Sequence, residues 1–374
     1  MVAESLRHKT LRGTVWSSIE RFSVQGIMFV VMIIMARILT PADYGLVGML
    51  TIFIAISQTL VDSGFSNALI RKQDRTETDN STVFYFNIAV AALLYLILAL
   101  CAPLIARFYN EPQLTELTRV IGLSIVISSF AGVQRALLTV DINFSTQAKA
   151  SLTAAVISGA VGIATAYGGL GVWAIVWFQL TNQAVNCLLL WLLSKWRPRW
   201  LFSWRSFREL FSFGSKLAAS ALLETLYSNI YLLVIGKLFK ASDLGYYTRA
   251  QQFAAFPSSN LTGILQRVTF PVLCTIQDDD ERLRSVYRRF LRLSAFVVFP
   301  LMVGLAVVAH PLVLLLLKEQ WIFAATLLSI LCFSMMWYPI HAINLNLLMV
   351  KGRSDLFLKL EIIKKFIGVG ILCI

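Results

Sequence analysis

Charge is scarce in this chain: Lys, Arg, Asp and Glu make up 14% of 374 residues, against 57% hydrophobic ones. A soluble domain needs more polar surface than that, so an ordinary globular enzyme is excluded as a class. Histidine is scarcer still, with His8, His310 and His341 far apart, and no His/Cys cluster has metal-ligand spacing. The five cysteines (Cys101, Cys187, Cys274, Cys332, Cys373) are odd in number and sit mostly in apolar runs, which reads as packing rather than a disulfide framework. There is no P-loop, GxSxG or HExxH and no large loop to carry an active site, so catalysis and any cofactor or resident metal are not expected.

What the chain does have is eleven strongly apolar runs, and a mean hydropathy of +0.72. A helix needs about 20 apolar residues to cross a bilayer. The runs fall at 11–39, 43–65, 83–108, 117–138, 148–167, 171–194, 211–238, 245–272, 290–317, 324–350 and from about 356. Runs of this length point to helices, since barrel strands alternate polar and apolar over about ten residues. The expected fold class is an all-α polytopic membrane protein. The eleventh run reaches Ile374, nine residues after Lys365, without a polar flank, and reads as a span cut short. No small-residue cleavage site follows the first run, so a removable signal peptide is not expected.

The net charge of +13 is a topology signal. Most Lys and Arg lie in the N-terminus and the even-numbered loops, such as Arg71, Lys72 and Arg75, or Lys195, Arg197, Arg199, Arg205 and Arg208. The positive-inside rule then places the N-terminus in the cytoplasm. Attraction to anionic headgroups is a secondary role, and no basic stripe interleaved with aromatics suggests nucleic acid.

The segment from Ala36 to Gly45 recurs from Gly236 to Gly245, with cation, Asp and Gly in register at an offset of 200. An offset of six helices keeps both copies in one orientation, a parallel repeat of the kind some transporters show. Two six-helix bundles follow, residues 1–200 (helices 1–6) and 201–374 (helices 7–11, the second bundle truncated), divided at the basic, Trp-rich loop around Trp196, Trp200 and Trp204. The repeated motif also has a plain structural reading: Thr40, Pro41 and Asp43 fit N-cap, first-turn and N3 positions.

Ionisable groups inside spans cost about 2.5–3.5 kcal/mol each and need a partner or a water-filled cavity. Glu20 and Arg21 lie in the first run; Lys216 and Glu224 lie in the seventh, on one stripe with Ser220. As matching helices of the repeat, these two are expected to face each other across a charged cavity, although internal salt bridges are the competing reading. Arg249, among Tyr246, Tyr247, Gln251 and Gln252, reads as a cavity wall. Asp62 is a weaker candidate for ion coupling, and His341 reads as a hydrogen-bonded core residue. The stretch 278–292 reads as a solvated amphipathic helix.

Five segments together resemble a known family: Leu11-Arg12-Gly13-Thr14-Val15-Trp16-Ser17, the Ala36-Arg37-Ile38-Leu39 to Asp43-Tyr44-Gly45 turn, Asp62-Ser63-Gly64-Phe65, Arg267-Val268-Thr269-Phe270-Pro271, and Ile276-Gln277-Asp278-Asp279. The chain is similar to the Wzx-type oligosaccharide flippases, of the colanic-acid-exporter kind, in the multidrug/oligosaccharidyl-lipid/polysaccharide (MOP) superfamily. The resemblance implies a multi-pass protein of the bacterial inner membrane that moves an undecaprenyl-pyrophosphate-linked oligosaccharide to the outer leaflet by alternating access. It also implies membrane lipids and polysaccharide polymerase machinery as partners. The pyrophosphate needs cations, and Arg21, Lys216 and Arg249, with Glu20 and Glu224 beside them, are the residues expected to line its cavity. A cation-coupled multidrug or metabolite exporter of the same superfamily is the alternative.

Overall fold

The computed structural model describes residues 2–62, 65–72 and 74–372, with side chains described except at 2–15, 17–19, 62, 213, 216, 264, 267, 268, 354, 357, 358, 369, 371 and 372. Among these residues there is no strand, and the chain divides into two compact units, Met1–Leu244 and Gly245–Ile374.

The first unit runs α1 (Val2–Ile38), α2 (Pro41–Asp62), α3 (Phe65–Arg71), α4 (Glu77–Tyr109), α5 (Leu114–Ser129), α6 (Gly132–Val140), α7 (Phe144–Tyr167), α8 (Val172–Leu193) and α9 (Trp204–Leu238), and takes in the start of α10 (Ala241–Thr275). The second unit holds the rest of α10, then α11 (Asp280–Val307), α12 (Ala309–Leu317), a 3₁₀ turn (Glu319–Trp321), α13 (Ile322–Met335), α14 (Tyr338–Val350) and α15 (Ser354–Leu372).

Nine helical stretches among the described residues are long and apolar enough to cross a membrane. Eleven were expected. The eighth and eleventh runs do form helices, α10 and α15, but Asp243, Arg249, Gln251 and Gln252 in one, and Lys359, Glu361, Lys364 and Lys365 in the other, dilute their apolarity. Both the buried and the outer faces of the helices are apolar. On α4 the exposed stripe is Leu93, Leu96, Leu100 and Leu104, whereas the covered face holds Ala91, Leu98, Ala102 and Ile105. Large apolar side chains pointing outward at helical spacing are what hydrocarbon requires of a solvent-facing surface.

Inside the first unit, close contact is made by small residues. Helix α7 lies between α1 and α8 and buries Ala155, Ser158, Gly159, Gly162 and Ala166. A Cβ on Gly159 would come within 2.6 Å of Val31, and one on Gly162 within 2.9 Å of Phe178. Backbones that approach this closely gain van der Waals packing, the main source of helix association in lipid.

The repeated motif behaves as its plain reading expects. Thr40 N and Oγ1 both donate to Asp43 Oδ2, at 2.8 and 2.7 Å, and Asp43 N donates to Thr40 Oγ1 at 3.3 Å, a reciprocal cap on α2. In the second copy Lys240 N donates to Asp243 Oδ2 at 3.1 Å at the start of α10. Gly45 has a separate task, because a Cβ there would lie 1.6 Å from the carbonyl oxygen of Ala241.

Helix α9 packs on α2, α3 and α4. The boundary expected from the repeated motif lies at 200/201, ahead of α9, whereas the compact units divide after Leu244. The Trp-rich segment between α8 and α9 is bound to the first unit, with Arg199 N donating to Ser81 Oγ and Ser203 N to Thr82 Oγ1, each at 3.1 Å.

Candidate functional site

The sequence-predicted site residues are distributed over both units. Glu20 is half-buried and Arg21 exposed on α1, whose main partner is α7; neither forms an ion pair among the described residues. Glu224 is exposed on α9, where Ser228 Oγ donates to its carbonyl oxygen at 2.8 Å and to Oε1 at 3.3 Å. The next residue, Thr225, meets Thr59 of α2 hydroxyl to hydroxyl at 2.9 Å, which fixes the register of the two helices. Ser220 is exposed on the same stripe as Glu224. The side chains of Lys216 and Asp62 lie outside the described residues. Arg249 belongs to the second unit and is half-buried on α10. Its neighbour Tyr246 is half-buried and packs edge-on against Trp321 and Phe323, with ring centroids 6.0 and 5.5 Å apart. Gln251 and Gln252 keep some exposure.

Two charged groupings escaped the sequence reading. In the first unit Lys72, just past α3, reaches Asp79 of α4 at 3.2 Å and Glu209 of α9 at 3.1 Å. Asp79 is almost wholly buried and also accepts from Thr76 N at 2.8 Å and Thr76 Oγ1 at 3.0 Å. Burial opposes the Lys72 charge, but the hydrogen bonds from its ammonium to Glu209 and Asp79 outweigh it and hold the pKa above the ordinary 10.5. The spacing Thr76-x-x-Asp79 was a readable capping signal, whereas nothing local marks Glu209 as its partner.

In the second unit Glu361 and Lys364 of α15 pair at 2.7 Å, and His341 of α14 lies 3.4 Å from the Glu361 carboxylate and 3.2 Å from Lys364 Nζ. His341 is therefore hydrogen-bonded to Lys364 and stands beside Glu361 on the adjacent helix, but with its side chain 41% exposed it is not the core residue the sequence suggested. Nearer the α14–α15 turn, Lys351 pairs with Asp280 and Tyr287 donates to Asn344, which ties α11 to α14.

Charged and polar side chains thus meet near helix ends and between neighbouring helices whose outer surfaces are apolar. Residues 34–326 match the family model described as polysaccharide biosynthesis protein. The chain belongs to this family. The lipopolysaccharide biosynthesis protein WzxC of Escherichia coli (strain K12) is 29% identical over 367 residues, which cover 97% of this chain and 74% of that protein. Among solved structures, the lipid II flippase MurJ in its inward closed conformation is similar in fold, with a TM-score of 0.72 at 14% identity over 91% of this chain and 76% of the other. An inward-facing multidrug resistance transporter of the MATE family, in the MOP superfamily, matches with a TM-score of 0.60 at 16% identity over 91% and 88%. The family member described here therefore shares its helical fold with these two structures and is a multi-pass membrane protein.

Proposed function

We propose that the protein translocates an undecaprenyl-pyrophosphate-linked oligosaccharide across the bacterial inner membrane by alternating access, supplying repeat units for exopolysaccharide or O-antigen-type polymers. The observation that carries this reading is membership of the polysaccharide biosynthesis family over residues 34–326, joined to a fold shared with a lipid II flippase. The physical task fits. The pyrophosphate needs fixed cations, the sugars need a wet path, and the polyprenyl tail stays in lipid. Arg21, Lys216 and Arg249 are assigned to the pyrophosphate, Glu20 and Glu224 to the polar lining, and Asp62 to ion coupling. Exposure of Glu224, Ser220 and Ser228 on one stripe of a spanning helix supports the lining role, because an exposed carboxylate in hydrocarbon is costly. The N-terminus is assigned to the cytoplasm on the distribution of Lys and Arg.

The competing reading is a cation-coupled exporter, favoured by the fold likeness to the MATE transporter. Cationic drugs call for an acidic lining, so the basic candidates weigh against it. Complementation separates the two. The full-length gene is expressed in a flippase-deficient bacterium, with Arg21→Ala, Lys216→Ala and Arg249→Ala at matched membrane levels. Restored surface polysaccharide with wild type and loss with the three variants is the expected result. Restoration by all four would discard the site assignment, and drug resistance without polysaccharide would replace the function.

A further inference from the structure

The apolar stretch Glu319–Val350 is broken in its middle, between the end of α13 at Met335 and the start of α14 at Tyr338. Pro339 accounts for the break. It has no N–H to return to the carbonyl of Met335, four residues back, and a carbonyl without a donor is costly inside a bilayer. Ser258 of α10, wholly buried, takes that carbonyl instead, donating from Oγ at 2.7 Å. Broken spanning helices are a recurrent way of building ion sites at depth. His341 stands within one turn of this break.

His341 lies nine residues before Val350, and Glu361 and Lys364 lie seven and ten residues after Ser354, where α15 returns from the turn. At 1.5 Å per residue all three are about 10–15 Å along their helices from that turn, below the membrane face at which α14 ends. A charge at such depth needs a partner. Lys364 and Glu361 supply each other at 2.7 Å, with Glu361 only 16% exposed, so the pair is neutral and complete without the histidine. His341 is nevertheless set against both, its Nε2 3.2 Å from Lys364 Nζ and 3.4 Å from Glu361 Oε1. One ring nitrogen cannot serve both neighbours in one protonation state. A bare Nε2 accepts from the ammonium and has nothing to offer the carboxylate, whereas an Nε2–H donates to the carboxylate and meets an ammonium that presents only hydrogens. The close approach of Nζ fixes the bare form here.

Helix α14 packs on α11 as well as on α15. From α11, Tyr287 is spent on Asn344, and Arg288 and Arg292 are exposed; on α15, Lys359 is exposed and Lys365 half-buried. All of these are cations or a neutral phenol, which leaves Glu361 as the carboxylate that a protonated imidazole would meet.

We infer that His341, Glu361 and Lys364 form a proton-binding site. A proton delivered by water to the part-exposed ring adds to the Nε2 lone pair. The Lys364 Nζ–H···Nε2 bond breaks, an Nε2–H···Oε1 bond to Glu361 forms, and the ammonium keeps its three hydrogens but loses one acceptor. The cluster passes from neutral to one net positive charge, which hydrocarbon penalises and which repels Lys364 from α14. Binding and release of a proton therefore bias how α15 sits on α14. Its use in coupling transport to a proton gradient rests on the translocation reading above; the proton site itself does not.

Nitrogen-15 NMR of the protein in nanodiscs tests the site, with His8→Gln and His310→Gln leaving His341 as the one histidine of the sequence. At high pH the ring should be the Nδ1–H tautomer with Nε2 bare, and it should take up one proton as pH falls from about 8 to about 5. Lys364→Met should turn the neutral ring to Nε2–H, now donating to Glu361, and move proton uptake to higher pH; Glu361→Gln should move it to lower pH. A packing role alone gives neither the tautomer nor the opposite shifts. Because the first measurement leaves the triad intact, it decides even where a variant fails to fold. A neutral ring in the Nε2–H form, no uptake between about pH 5 and 8, or shifts of one sign in both variants would overturn the site. In the flippase-deficient bacterium, polysaccharide restored by wild type and lost with His341→Gln is the result expected for coupling, and equal restoration by both would remove the site from the transport cycle. A wild type that restores none while His341 titrates as described sinks the translocation reading and keeps the proton site.

Discussion

Gly45→Ala should be among the most damaging single-methyl additions in the chain. The added Cβ would lie 1.6 Å from the carbonyl oxygen of Ala241 and 2.4 Å from its carbon, whereas ordinary contact begins at 3.4 Å. The obstacle is backbone, so no rotamer change relieves it. Either α2 or the α9–α10 turn must move by roughly the 1.8 Å shortfall. That turn is pinned: Lys237 donates to the carbonyl of Phe108 and lies 4.6 Å from its ring centre, and Gly236 itself leaves no room beside Tyr109 and Met49. Overpacking costs about 1–3 kcal/mol, and a backbone clash belongs at or above the top of that range. At about 3 kcal/mol the thermal midpoint of a unit this size falls by roughly 6–12 °C. The assay is thermal unfolding of the detergent-purified full-length protein. Gly304→Ala is the matched control, since nothing lies within 4 Å of its Cβ and an interior helical alanine gains about 0.5–1 kcal/mol over glycine. A Gly45→Ala midpoint equal to wild type would refute the close approach of α2 to this turn.

Four further outcomes follow from the Lys72 cluster. Lys72→Met leaves Asp79, whose side chain is 2% exposed, with a buried charge short of a partner, and should cost about 2 kcal/mol, below the 3–5 typical of a fully buried pair because Lys72 is itself 14% exposed. Glu209→Gln touches a carboxylate that is 58% exposed and should cost under about 1 kcal/mol in the same melting assay. Since the Lys72 pKa is raised, its stabilisation is complete below pH 10.5 and is lost as pH rises through the higher folded value; the midpoint gap between wild type and Lys72→Met should close in that alkaline window. Thr76→Ala removes the cap that Asp79 N donates to at 3.3 Å and should lower the stability of α4 by about 0.5–2 kcal/mol, read by local hydrogen exchange at the α4 start.

The sequence is readable where the bilayer or a single turn of chain dictates structure. Apolar runs had to become helices because unpaired backbone is too costly in hydrocarbon, and Asp43 had to be sought by the amide of Thr40 because the two are three residues apart. The same motif shows where reading stops. Capping accounts for Asp43, but the requirement for Gly45 comes from Ala241, far along the chain, and no local rule contains it. Likewise Lys72 is paired with Glu209, 137 residues away, so it read as a topology charge alone. The transport candidates divide on the same line. The Ser220–Glu224–Ser228 stripe is local in origin and appears on one face of α9 as helical spacing requires. Whether Arg21 and Arg249 act with it depends on contacts between distant segments, which is why their assignment rests on the complementation experiment and not on spacing. A flippase needs such long-range charge pairing: groups that found all their partners within a turn would be locked in one state, and only groups with distant partners can exchange them as the protein changes conformation.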